Sequence, residues 1–167
     1  KLAGHNYVLV AGHHHGESST VRLIDPANGS SLWTEEIGTL GILEGQFANL
    51  LAVSGDKLVA YRYQAPPADP KTNRIDKEEV TDHINAWRLS EKGIEHLWQD
   101  DDLPPDEGPH LAISGGVVYG VGRHLVRCLD LKSGKVIGEI TEAEFPHEKG
   151  QLGDAPRSNP LLIVAGK

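Results

Sequence analysis

Apolar residues come along this chain in short runs, many of them alternating with polar neighbours and nearly all of them ended by glycine. The stretch from Leu111 to Ile140 shows the pattern most plainly. Its runs are Leu111-Ala-Ile-Ser114, Val117-Val-Tyr-Gly-Val121, Leu125-Val-Arg-Cys-Leu-Asp130 and Lys135-Val-Ile-Gly-Glu-Ile140, separated by Gly115-Gly116 and Lys132-Ser-Gly134. Runs rich in Val, Ile, Leu and Tyr, too short for helices and closed by glycine turns, predict β-strands. Four of them make one antiparallel meander. A meander of that size cannot bury both of its faces and needs neighbours built to the same plan.

The neighbours are present. Leu51-Ala-Val-Ser-Gly-Asp56 repeats Leu111-Ala-Ile-Ser-Gly-Gly116, and Pro160-Leu-Leu-Ile-Val-Ala-Gly166 repeats Pro109-His-Leu-Ala-Ile-Ser-Gly115. A third-strand signature recurs as Val21-Arg-Leu-Ile-Asp25 and Val126-Arg-Cys-Leu-Asp130, with a degraded copy in Ala86-Trp-Arg-Leu-Ser90. It leads into Asp25-Pro-Ala-Asn-Gly29 and Asp130-Leu-Lys-Ser-Gly134, where the Asp carboxylate can accept backbone N–H bonds across the turn and the Gly supplies a positive φ. Two of the following strands carry Trp33 and Trp98, and the third has Gly138 in that place. An all-strand pattern repeating at this period predicts stacked four-stranded sheets, in the form of a β-propeller. The repeats fall at about 2–37, 49–99 with an insertion at 64–82, and 109–140, with the start of a further one at 158–167. Three repeats are fewer than propellers close with, so open edges are expected, completed by missing chain or by self-association with another copy.

In the run Val21-Arg-Leu-Ile-Asp-Pro-Ala-Asn-Gly-Ser-Ser-Leu-Trp33 the chain resembles the pyrroloquinoline-quinone-type propeller repeat, whose blades end in Asp-x-x-x-Gly-x-x-x-Trp. The resemblance extends over most of the chain and implies a periplasmic or extracellular place. It implies two activities. One is a non-enzymatic scaffold that binds a protein or peptide through its face loops, as in the lipoprotein of the outer-membrane β-barrel assembly machinery. The other is a fragment of a quinone-dependent alcohol or sugar dehydrogenase, which would hold pyrroloquinoline quinone with calcium. Such enzymes often place a vicinal cysteine pair beside the cofactor, and this chain has a single cysteine, Cys128.

Charge narrows the field further. Sixteen basic against twenty-four acidic residues leave a net charge of -8, which argues against nucleic acid or an anionic membrane as a partner. No run is long and apolar enough to span a bilayer. The absence of Met suggests a processed or excised piece. Cys128 stands where the first repeat has Leu23, which points to a packing role.

Candidate chemistry gathers between the strands. There is no Gly-x-Ser-x-Gly elbow and no phosphate-cradling glycine loop, since the glycine pairs sit in hairpin turns. His13 and His15, in a run of three histidines, would share one strand face and are candidate metal ligands; with His5 they also raise a metal-dependent hydrolase. Asp100, Asp101, Asp102, Asp106 and Glu107, in a linker read as Gln99–Pro109, offer hard oxygens for calcium. Ile42, Leu43 and Phe47, on the long connection to the second repeat, form a candidate binding surface, joined by His110 and His147 near the starts of inner strands.

Overall fold

The computed structural model describes residues 2, 4–12, 19–38, 51–64, 81–103, 110–121 and 125–141, and among them the backbone is strand and turn with no helix. The described residues form eleven strands: β1 (Val8–Gly12), β2 (Ser19–Ile24), β3 (Ser31–Gly38), β4 (Leu51–Ser54), β5 (Lys57–Gln64), β6 (Thr81–Ser90), β7 (Gly93–Leu103), β8 (His110–Ser114), β9 (Val117–Val121), β10 (Leu125–Asp130) and β11 (Val136–Thr141). They make three antiparallel sheets, with β1-β2-β3 in the first, β4-β5-β6-β7 in the second and β8-β9-β10-β11 in the third. Each sheet is a meander of sequential neighbours, the topology that short glycine turns dictate.

Period-2 alternation sets which side chains face the neighbouring sheet. In β2, Val21 and Leu23 turn inward and are buried while Arg22 between them is exposed. They join Leu58, Ala60, Trp87 and Leu89 of the second sheet in one apolar cluster. The opposite face of that sheet, through Val59, Tyr61, Ile84, Ala86 and Trp98, meets Leu111, Val118 and Leu129 of the third sheet in another. The second sheet is thus covered on both sides, and each fully buried Leu, Val or Ile side chain contributes about 1.5–3 kcal/mol relative to exposure.

The registers align the three sheets rung by rung. Leu9, Leu23 and Trp33 share one rung. Its counterparts are Ala52-Val59-Ala86-Trp98 and Ala112-Tyr119-Cys128-Gly138. Trp33, Trp98 and Gly138 therefore occupy equivalent places. One sequence match shifts, because Leu89 N–H donates to Asp56 O just as Leu131 N–H donates to Gly116 O. The copy of Val126–Asp130 in the second sheet is accordingly Ile84–Arg88, two residues earlier than the signature at Ala86–Ser90.

Two other boundaries move. The β5–β6 ladder runs out to the pair Gln64 and Thr81, so the intervening segment is 65–80. β7 continues to Leu103, and Gln99–Leu103 is strand where a linker was expected.

The turns behave as their residues require. Asp25 accepts from Ala27 N–H at 2.9 Å, and Asp130 accepts from Ser133 N–H at 2.7 Å. Gly29 and Gly134 N–H then donate to the carbonyls of Asp25 and Asp130, both at 2.8 Å, with φ of 72° and 70°. The Ser133 hydroxyl and N–H hold the Asp130 carboxyl below the usual carboxylate value of 3.8. A lowered pKa in the folded state stabilises the fold above the unfolded value, and that contribution fades as pH falls through the lowered one. The Tm difference between the protein and Asp130→Ala is therefore expected to be present at neutral pH and to shrink below pH 3.8, a trend that thermal melts across the acid range will test.

Candidate functional site

The two ends of the stacked sheets are built differently. At one end the strands are joined by tight turns at 25–30, 55–56, 91–92, 115–116 and 131–135. At the other lie the strand ends Gly12, Gly38, Gln64, Leu103, Val121 and Thr141, joined by the segments 13–18, 39–50, 65–80, 104–109 and 122–124. The two longest connections, 39–50 and 65–80, both leave this second end, and binding residues are usually found on loops held by a rigid scaffold.

Buried polar groups concentrate toward this second end, in both inter-sheet junctions. Between the second and third sheets, Arg127 of β10 lies almost wholly inside, where an arginine needs a counter-charge. Asp100 of β7 supplies it, with Oδ2 3.1 Å from Arg127 Nη1. Glu139, opposite Arg127 on β11, accepts from Nε at 2.7 Å, and the same oxygen stands 2.7 Å from Nη2. Burial by itself would lower the guanidinium's affinity for its proton, but the two carboxylates outweigh it and the net shift is upward.

The next residue of β7 points the opposite way, as period 2 demands. Asp101 Oδ1 stands 2.8 Å from Nδ1 of His83, close enough for an ion pair when the imidazole is protonated, though not aligned as a hydrogen bond. Gln99 donates its side-chain amide to the same Asp101 oxygen. Beside His83 on β6, Asn85 is fully buried and its Oδ1 lies 3.2 Å from His96 Nε2, while its Nδ2 has no partner among the described residues. Arg62, the cross-strand neighbour of His83, lays its guanidinium over Gly38, where any side chain would collide with it. Gly38 has a φ of 83°, a backbone conformation that calls for glycine, while the flexible end of Arg62 could move aside.

Of the residues singled out in the sequence, His13, His15, Ile42, Leu43, Phe47 and His147 lie outside the described residues, as do Asp106 and Glu107. His110 opens β8, half-buried and paired with Val121. The carboxylates proposed as a calcium set are parted: Asp100 faces Arg127 and Asp101 faces His83. Among the described residues no group of three or more His, Cys, Asp and Glu is placed to hold a metal ion. Cys128 is half-buried on the side of the third sheet turned away from the second, and burial pushes its thiol pKa up, which disfavours the reactive thiolate. No helix among the described residues is long and apolar enough to cross a membrane.

Trp33 and Trp98 each bind across a junction. Trp33 Nε1 donates to Ser90 O at 2.7 Å, and Trp98 Nε1 donates to Leu131 O at 3.0 Å. Tyr7 adds a further link, donating to Glu91 Oε1 at 2.6 Å, and this bond together with the Glu91 charge pushes the phenol up to about 12. In Glu91→Gln, one tyrosine is expected to titrate nearer the ordinary 10.0, visible as earlier growth of tyrosinate absorbance on raising the pH.

The Asp100, Arg127 and Glu139 cluster and the His83, Asn85 pair were missed in the sequence. The spacing of Trp98 and Asp100 repeats that of Trp33 and Glu35, and that is the one signal that marks Asp100 as a strand residue. The chain matches no protein-family model and no curated protein.

Proposed function

We propose that the chain is a run of pyrroloquinoline-quinone-type propeller blades, working as a non-enzymatic scaffold in the bacterial cell envelope that presents its longer connections to a protein or peptide. The observation that carries this reading is the place of the two longest connections, since 39–50 and 65–80 both leave the same end of the stack. The Asp-x-x-x-Gly-x-x-x-Trp element supports it as well, since Asp25 closes its turn and Trp33 reaches the neighbouring sheet. Beneath the loops the Arg127 ion pairs brace one junction, and the indole bonds tie the junctions at the opposite, tight-turn end, giving the rigid base that a recognition surface needs.

Segment 65–80 is the longest connection between two of the described strands and is the first place to test. Replacing it with Asn-Gly is expected to leave the far-ultraviolet circular dichroism and the melting midpoint nearly unchanged, because loop-closure entropy varies only logarithmically with length. Peptides selected from a displayed random library against the full chain are expected to lose binding to that variant. Unchanged binding by every selected peptide counts against recognition through this segment. A bound chromophore on adding pyrroloquinoline quinone and calcium, with dye-linked alcohol oxidation, overturns the scaffold reading in favour of a dehydrogenase fragment.

A further inference from the structure

We infer that the junction between the first and second sheets holds a binding site for one carboxylate, formed by the Arg62 guanidinium and the Asn85 side-chain amide. The inference does not rest on the scaffold reading, since a free carboxylic acid and an acidic residue of a peptide present the same group. Arg62 of β5 and Asn85 of β6 stand on neighbouring rungs, Arg62 opposite His83 and Asn85 opposite Ala60. Period 2 puts both on one face of the second sheet, the face that meets the first sheet through Leu58, Ala60 and Trp87. Diagonal neighbours of this kind are about 7–8 Å apart at their bases, within the reach of a long side chain.

Each carries a buried donor that no described residue accepts. Asn85 is 0% exposed, and its Oδ1 faces His96 while Nδ2, on the other side of the amide, has no partner among the described residues. Arg62 Nε is likewise buried without an acceptor among them, and Arg62 enters none of their ion pairs. Buried N–H groups are ordinarily paired, and a guanidinium drawn out of water needs a counter-charge. Arg62 is half-buried and lies over Gly38, the last residue of β3, so a ligand reaches the site from the strand ends.

The other junction shows which acceptor fits. There Arg127 holds the place of Asn85, and the second sheet sends Asp100 to it, with Oδ2 3.1 Å from Nη1. Glu35 holds the place of Asp100 in the first sheet, opposite Val21 as Asp100 is opposite Ile84. Yet Glu35 is exposed, with Oε1 3.4 Å from where a Cβ on Gly93 would stand, beside the tight turn at 91–92. Asp101 is engaged too, accepting from Gln99 and facing His83. The described residues of the first junction thus supply the donors for a carboxylate and no carboxylate to meet them. One guanidinium and one amide match the single charge and two oxygens of that group, whereas a phosphate dianion would bring a second negative charge toward Asp101.

The test titrates the isotope-labelled full chain at constant ionic strength with sodium acetate, with acetyl-Ala-Glu-Ala-amide and with the glutamine counterpart of that peptide. The Arg62 Nε–H and Asn85 Nδ2–H signals are followed by NMR. Saturable shifts of both are expected with acetate or the glutamate peptide, and none with the glutamine peptide. Response to acetate marks a free acid as the source, and response to the peptide alone marks an acidic residue of a partner. Affinity should fall about tenfold or more in Arg62→Gln and Asn85→Leu proteins and stay unchanged in Arg22→Gln, whose arginine is exposed. Circular dichroism will confirm folding, and Arg62→Gln decides the matter if the buried Asn85→Leu change does not fold. No saturable shift with either carboxylate, an equal loss in Arg22→Gln, or tighter binding of inorganic phosphate than of acetate overturns the proposal.

Discussion

Replacing Arg127 with methionine is expected to destabilise the protein by about 3–5 kcal/mol, because it takes the guanidinium away from the buried Asp100 carboxylate. The Asp100 side chain is 6% exposed, so it cannot recover solvation when its partner goes. Glu139 is 39% exposed and can turn to solvent, which confines the damage to Asp100. For a chain of this length such a loss lowers Tm by roughly 6–20 °C. The informative comparison is the double variant Asp100→Leu with Arg127→Met. Removing both charges and filling the space is expected to restore most of the stability, since a buried ion pair replaced by apolar groups is often neutral or better. Urea denaturation of the two single variants and the double one checks this. A double variant as unstable as the sum of the singles would show that the charges themselves hold the junction.

The second large effect is at Trp98. Trp98→Ala is expected to cost about 3–5 kcal/mol, from lost burial and the cavity left behind. It also removes the donor to Leu131 O and uncovers the Gly134 turn. Trp33→Ala is expected to cost less, because Trp33 is only partly buried. A cycle with Gly134→Ala separates packing from backbone strain. On the parent background the new methyl meets the ring, and the φ of 70° adds its own penalty. On the Trp98→Ala background only the backbone penalty remains, so the double variant should lose clearly less than the sum of the single ones. Additivity within a few tenths of a kcal/mol would mean that the indole does not lie on that turn.

Much of the fold was legible from local pattern. Alternation marks strands such as Ser19–Ile24, and the glycine pair at 115–116 marks a hairpin. The equivalence of Trp33 and Gly138 was also readable, since each stands four residues after the glycine of an Asp-to-Gly turn. The two-residue slip in matching Ala86–Ser90 has a physical origin. β6 runs on past the start of β5, with Arg88 opposite Lys57, whereas β10 stops with Asp130 opposite Val117. Nothing in the sequence of β6 alone records where its partner begins. The run Gln99-Asp-Asp-Asp was read as a linker because consecutive acids ordinarily stay solvated. Asp100 can enter a strand and become buried because a guanidinium waits for it on another sheet, which is information from outside its own segment. The long-loop end was foreseeable from the Gly- and Pro-rich gaps, but the polar clusters beneath it were not, as Arg62, Asn85 and Arg127 look like ordinary strand residues until the sheets meet.

The middle sheet, clad on both sides, has a consequence for how the molecule comes apart. Amides in β5 and β6 can exchange their hydrogens with solvent only after a flanking sheet has peeled back, whereas those of the outlying β1 and β11 need no such event. Opening should accordingly travel from the flanks inward, like a stack of cards shed from its outer faces.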